Sequence, residues 1–162
     1  MLFHPHRVYP SPLDITAEAL AADGVRCLLL DIDGTIAQTR DPIPPPPVVA
    51  WAEGLRAQGI TLFILSNNKH PERVRRFGDM LGCGAIHLAH KPRKAGFLSA
   101  LAVTGASPRE TAMVGDQIFT DIFGARRLGI RAIRVESTDT YLWYFGLRRF
   151  FERPFLQARS EA

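Results

Sequence analysis

A chain of 162 residues, 46% of them hydrophobic and 22% charged, is one domain's worth of sequence that can close a core unaided. That excludes a disordered, fibrous or disulfide-stapled protein, and with two cysteines at no metal or redox spacing, no bilayer-length apolar run and no apolar signal segment in residues 1–11, the expected compartment is the cytoplasm. The net charge of +4 suits an anionic partner, although taken alone a solvated basic surface explains it better.

In chain order, residues 1–25 read as a lead segment packing on the core. The run 26–30 (RCLLL) is continuously apolar and ends at Asp31. Continuous rather than alternating runs are expected of strands covered by helices on both faces. A proline cluster, then Val48, Trp51, Ala52 and Leu55 at helical spacing, with Gly59 as a stop, predicts a helix. A second strand, 60–65 (ITLFIL), ends at Ser66. Pro71 leads a helix carrying Val74, Phe77 and Leu81, closed by Gly82. A weaker strand at 85–88 precedes Lys91. Phe97, Leu98 and Leu101 mark a third helix before Gly105, and Ser107 to Glu110 reads as a capping box. The fourth strand, 111–114 (TAMV), leads into Gly115 and Asp116. Ile118, Ile122, Ala125 and Leu128 predict a last helix stopped by Gly129, and 130–135 is the fifth strand. The fold class for 26–136 is therefore α/β, a doubly wound, Rossmann-like parallel sheet of five strands flanked by helices.

Residues 137–162 form an extension. Placed on a helix, Trp143, Tyr144, Leu147, Phe150 and Phe151 share one face, and Arg148, Arg149, Glu152 and Arg153 the other. That pattern suits a membrane interface. Packing on the sheet or on a second subunit is the more ordinary use of such a face.

In doubly wound sheets the ligand crevice lies beyond the carboxyl ends of the strands. Asp31, Ser66 and Asp116 each close an apolar strand, and Lys91 follows the weak one. Two carboxylates, a hydroxyl and an ammonium thus converge from four segments, an inventory for phosphate and a metal. Oxygen ligands suit Mg²⁺. Each residue alone has a bland explanation: a turn for Asp31 with Asp33 or for Asp116, a helix cap for Ser66, solvent exposure for Lys91. Their joint order is what points to a site. His4, His6, His70, His87 and His90 show no ligand spacing and receive no role.

The segment Asp31-Ile32-Asp33-Gly34-Thr35 resembles the first motif, DxDGT, of the haloacid dehalogenase superfamily. Ser66 in LSNNK, Lys91 in HKP, and Asp116 with Asp121 in GDQIFTD resemble the second, third and fourth motifs, in order. The resemblance implies a phosphatase in which Asp31 is the nucleophile, forming an aspartyl-phosphate. Asp33 would be the general acid and base. Mg²⁺ would be held by Asp31, the backbone carbonyl of Asp33 and Asp116. Ser66, the backbone N–H of Asn67 and Lys91 would hold the phosphoryl oxygens, with Gly34 letting the chain pass close. Asp121 would orient metal-bound water or Lys91 from behind.

Asp33 and Ser66 are 33 positions apart, and Ser66 and Lys91 are 25 apart, so neither gap holds a cap domain. The site should be open to a bulky, membrane-embedded or macromolecular substrate, or be covered by another subunit of a homo-oligomer. RVYP and LDIT in the lead segment, SNN, KP with Gly96 and Phe97, and GDQIFTD with Gly124 and Arg126 extend the resemblance to the type IIIA, YqeG-like branch, similar to phosphatidylglycerophosphate phosphatases. The implied partner is a phosphorylated substrate, foremost that lipid headgroup, with peripheral membrane contact through 141–156. A soluble sugar phosphate, nucleotide or phosphoprotein is the alternative substrate. A non-catalytic module on ribosomal RNA is a different class, and the acids at both Asp31 and Asp33 speak against it and against nucleic acid as a partner.

Overall fold

The structure, a computed structural model, describes residues 1–139. Its six strands are β1 (Arg7–Tyr9), β2 (Cys27–Leu30), β3 (Thr61–Leu65), β4 (Gly84–Ile86), β5 (Thr111–Gly115) and β6 (Arg131–Val135). The helices are α1 (Ala17–Ala22), α2 (Pro46–Ala57), α3 (Pro71–Leu81), α4 (Lys94–Thr104) and α5 (Phe123–Arg126). The strands form one parallel sheet in the order β1-β6-β5-β2-β3-β4. No helix among the described residues is long and apolar enough to cross a membrane, and none of them forms a cap domain.

The apolar runs are buried on both sides, as continuous hydrophobicity requires. Leu28 and Leu30 of β2 face one core layer with Val48, Leu55, Val74 and Phe77. Cys27 and Leu29 face the opposite layer with Phe97, Leu101 and Ala125. Leu98, spaced as a core residue, is instead exposed.

Among the described residues the sheet has six strands where the sequence predicts five. The sixth, β1, consists of three residues at the sheet edge, exposed at Arg7 and Val8, and pairs with β6. A half-exposed edge strand this short carries no continuous apolar run. The last predicted helix is also different: Ile118–Ile122 is one wide π turn that then tightens into the four-residue α5.

From β2 the chain steps outward through β3 to β4, then crosses back to β5 on the other side of β2. The strand order therefore reverses between β2 and β5, and a crevice opens beyond their carboxyl ends. Leu30 pairs with Ile64 on one side and Val114 on the other, so Asp31, Ser66 and Asp116 emerge at nearly one level.

Candidate active site

Asp31 is the first residue beyond β2, its N–H donating to the Val114 carbonyl at 3.0 Å. The Lys91 ammonium sits between two acids, 2.8 Å from Asp31 Oδ1 and 2.7 Å from Asp121 Oδ1. All three side chains are buried, with exposures of 6% or less. Asp116 leaves the end of β5 and is held by Thr35. Its N–H donates to Thr35 Oγ1 at 3.1 Å, and that hydroxyl donates to Asp116 Oδ1 at 3.4 Å. The wide turn brings Asp121 back, its Oδ2 accepting the Gln117 N–H at 3.1 Å. Gly115 leaves the room this needs, since a Cβ there would lie 2.3 Å from Asp121 Oδ2.

Asp31, Asp116 and Asp121 each offer an oxygen within 4.8 Å of the others. Among the described residues these three buried acids surround the Lys91 ammonium, which contacts Asp31 and Asp121. Asp121 Oδ1, despite its ion contact with Lys91, receives no aligned hydrogen bond among the described residues. A hard, all-oxygen donor set gathered within 4.8 Å fits a divalent cation.

Burial pushes the Asp31 carboxyl up to about 8. Lys91 opposes that shift, and the neighbouring carboxylates of Asp121 and Asp116 add to it. Burial also works against the Lys91 charge, but Asp121 and Asp31 outweigh it and hold the ammonium above its ordinary range.

Asp33 lies two residues on, with its side chain outside the acidic trio. Its Oδ1 pairs with Arg73 Nη1 at 2.7 Å, and its Oδ2 accepts from Asn68 Nδ2 at 2.8 Å. Ser66 is fully buried beneath the crevice, its Oγ accepting the Asn68 N–H at 3.1 Å. The Asn67 side chain turns toward Lys91: Nδ2 donates to the Lys91 carbonyl at 3.0 Å and Oδ1 accepts the Lys91 N–H at 2.7 Å. Gly34 sits at φ 78°, where a Cβ would lie 2.7 Å from Asp116 Oδ2. The residues the sequence singles out thus gather around one crevice, with Ser66 behind its wall.

Arg73, Asn68 and Thr35 are members of the cluster to which the sequence reading gives no role. Asn68 and Thr35 fall inside segments already singled out. Arg73 shares a helix with Arg75 and Arg76, and nothing in the sequence separates it from a solvated charge run.

The cavity at the crevice is about 160 Å³ and is lined by Asp31, Asp33, Asn67, Asn68, Lys91, Gln117 and Thr120. Pockets for drug-sized ligands run to roughly 300 Å³ and above, so this one suits a phosphoryl group with the rest of its substrate outside.

The model of the haloacid dehalogenase-like hydrolases matches residues 11–129. The chain is 31% identical over 159 residues to the probable phosphatase YqeG of Bacillus subtilis, spanning 96% of this chain and 91% of that protein. Among solved structures, a haloacid dehalogenase-like hydrolase of Brucella suis superposes with a TM-score of 0.62 at 11% identity, over 78% of this chain and 94% of that one. An uncharacterized protein of Listeria monocytogenes gives 0.57 at 22% identity, over 73% and 85%. The two structural likenesses speak for the fold.

Proposed function

We propose that this chain, which belongs to the haloacid dehalogenase-like hydrolase family and is a phosphatase of that family, cleaves phosphate monoesters through an aspartyl-phosphate on Asp31. The observation that carries this is the Asp31 carboxylate beside Lys91 within a buried acidic group at the strand switch point.

A carboxylate oxygen of Asp31 attacks phosphorus, the bond to the leaving oxygen breaks, and Asp33 gives that oxygen its proton. Asp33, now ionised, takes a proton from water as the water oxygen attacks the same phosphorus. The bond to Asp31 breaks, phosphate departs, and both residues return to their starting forms. Lys91, Ser66 and the Asn67 N–H offset the charge on the phosphoryl oxygens, and Gly34 leaves the approach open.

Asp31, the Asp33 carbonyl and Asp116 would hold Mg²⁺, and Asp121, 2.7 Å from the Lys91 ammonium, would orient Lys91 or a metal-bound water. Bound there, the ion would cancel the repulsion between the Asp31 carboxylate and the phosphoryl group.

Phosphatidylglycerophosphate is the leading substrate. A cavity sized for the phosphoryl group, without a cap among the described residues, leaves a bulky alcohol outside. The aromatic and arginine-rich stretch 141–156 suits contact with a lipid surface, and it lies outside the described residues. The test is a phosphate-release screen of the purified chain with Mg²⁺. It sets phosphatidylglycerophosphate in mixed micelles against sugar phosphates, nucleotides and phosphopeptides. Faster turnover of the lipid is expected. Turnover confined to the soluble esters would leave the phosphatase reading and remove the lipid, and no release from any ester with Asp31 intact would overturn the reaction itself.

A further inference from the structure

Arg73 stands on the first turn of α3 with its side chain only 13% exposed. Its guanidinium serves three partners. Nη1 donates to Asp33 Oδ1 at 2.7 Å, Nη2 to the Gln38 carbonyl at 3.1 Å, and Nε to the Asp41 carbonyl at 2.6 Å. The Phe77 ring, one turn further along the helix, lies 5.0 Å from its Cζ and backs the plane. The turn it grips is closed by the Gln38 N–H donating to Asp41 Oδ2 at 2.8 Å. One side chain therefore fastens to α3 both the Asp33 carboxylate and the loop that follows it.

We propose that Arg73 is a positioning residue for proton transfer, aiming Asp33 at the leaving-group oxygen while holding the 38–41 turn beside it; this rests on Asp33 being the acid and base of the proposed reaction. A carboxylate held at one oxygen swings freely. Held between a guanidinium and the Asn68 amide, it turns only by breaking a charge-assisted hydrogen bond. The neutral amide is the weaker holder, so Oδ2 is the oxygen released to the substrate, and Oδ1 stays on Arg73. Lysine could not replace this, because an ammonium is a single point charge and the three partners need a planar fork.

The test compares kcat/KM for p-nitrophenyl phosphate, whose leaving group needs little protonation, with glycerol 1-phosphate, whose alkoxide needs a full proton. This ratio reports the steps up to departure of the alcohol. Arg73→Ala is expected to lose about 100-fold on the alkyl ester and less than about 10-fold on the aryl ester, the scale of general acid catalysis. Arg73→Lys should recover part of the alkyl loss. Arg73→Gln keeps donors for the loop carbonyls without the charge, and should track Arg73→Ala on the alkyl ester while unfolding at nearly the parent temperature. Equal losses on both esters, or none, would overturn the assignment. Asp33→Asn, run alongside, should show the same leaving-group dependence. If it does and the Arg73 variants do not, the Arg73 role alone falls. If Asp33→Asn spares the alkyl ester, the acid–base role beneath it falls too.

Discussion

Asn67 and Lys91 exchange two hydrogen bonds, each serving the other as donor and acceptor across 24 positions of sequence. The amide of Asn67 thereby pairs both backbone polar groups of Lys91, in a loop that has no strand or helix to do so. The Lys91 ammonium can point into the acidic group because its own backbone is fastened to the segment after β3.

Removing that amide should therefore cost aim as well as stability. Asn67→Ala leaves the Lys91 N–H and C=O without their partner, a loss of about 2 kcal/mol for part-buried groups. Lys91 would then reach Asp31 less often, and kcat should fall more than KM rises. Thermal unfolding and steady-state kinetics on one preparation check both parts. A destabilised variant with unchanged kcat would show that Lys91 is aimed by something else.

Asp31→Asn keeps the shape and the acceptor facing Lys91 but removes the attacking charge. Turnover should drop on the order of 10⁴-fold or more, as when a nucleophile is deleted from an enzyme that uses it covalently. The fold should survive. Burial already works against an ionised Asp31, so the neutral amide relieves a strained group, and at alkaline pH the metal-free variant should melt no lower than its parent. Residual phosphate release within 10-fold of the parent would remove Asp31 from the nucleophile role.

The same raised acidity gives a signed dependence on pH and metal. In the folded, metal-free chain Asp31 keeps its proton up to about 8, whereas an unfolded aspartate loses it near 4. Between those values the folded state binds more protons than the unfolded one, so stability falls as pH rises through that window and the contribution is gone above about 8. Mg²⁺ bound to Asp31, as proposed, would take the place of that proton. Added Mg²⁺ should thus raise the melting temperature little at about pH 5, and by about 3 °C or more at about pH 9. Chelation should silence the enzyme, and Ca²⁺, with its longer bonds and larger coordination number, should not restore it. Equal stabilisation by Mg²⁺ at both pH values would contradict this account.

The strand ends were legible because a sheet covered on both faces demands unbroken apolar runs, and each run stops where the polar crevice begins. Asp31, Ser66 and Asp116 follow from that alone. The edge strand β1 did not announce itself, since Arg7 and Val8 face solvent and its hydrogen bonds to β6 depend on backbone alone. The wide turn at Ile118–Ile122 keeps the apolar spacing of a helix, so periodicity does not separate the two, and within it Asp121 folds back to accept the Gln117 N–H. Arg73 was hidden in a different way. Arg75, two residues away, pairs with Glu72 and Asp79 on the exposed surface, as an ordinary charge run would. Only the packing of α3 against the loop after Asp33 separates the two arginines.

Gly34 joins backbone conformation to the acidic group, and its replacement should separate folding from metal binding. Its φ of 78° lies in the left-handed region, and an added Cβ would stand 2.7 Å from Asp116 Oδ2 and 2.9 Å from Ser137 Oγ. The backbone strain of Gly34→Ala amounts to about 1–2 kcal/mol. The steric conflict falls on Asp116, whose carboxylate is also tied to Thr35 and must either break that bond or shift within the group. Mg²⁺ affinity, followed by calorimetric titration, should therefore weaken about 10-fold or more, a conflict worth at least about 1.4 kcal/mol. Gly24→Ala is the matched control. Its φ is 69° and no atom lies within 4 Å of the added Cβ, so it carries the strain without the collision. It should lower the melting temperature by a similar amount and leave Mg²⁺ affinity unchanged. If both alanines weakened the metal equally, general destabilisation would explain the loss, and the carboxylate of Asp116 would have no part in holding the ion.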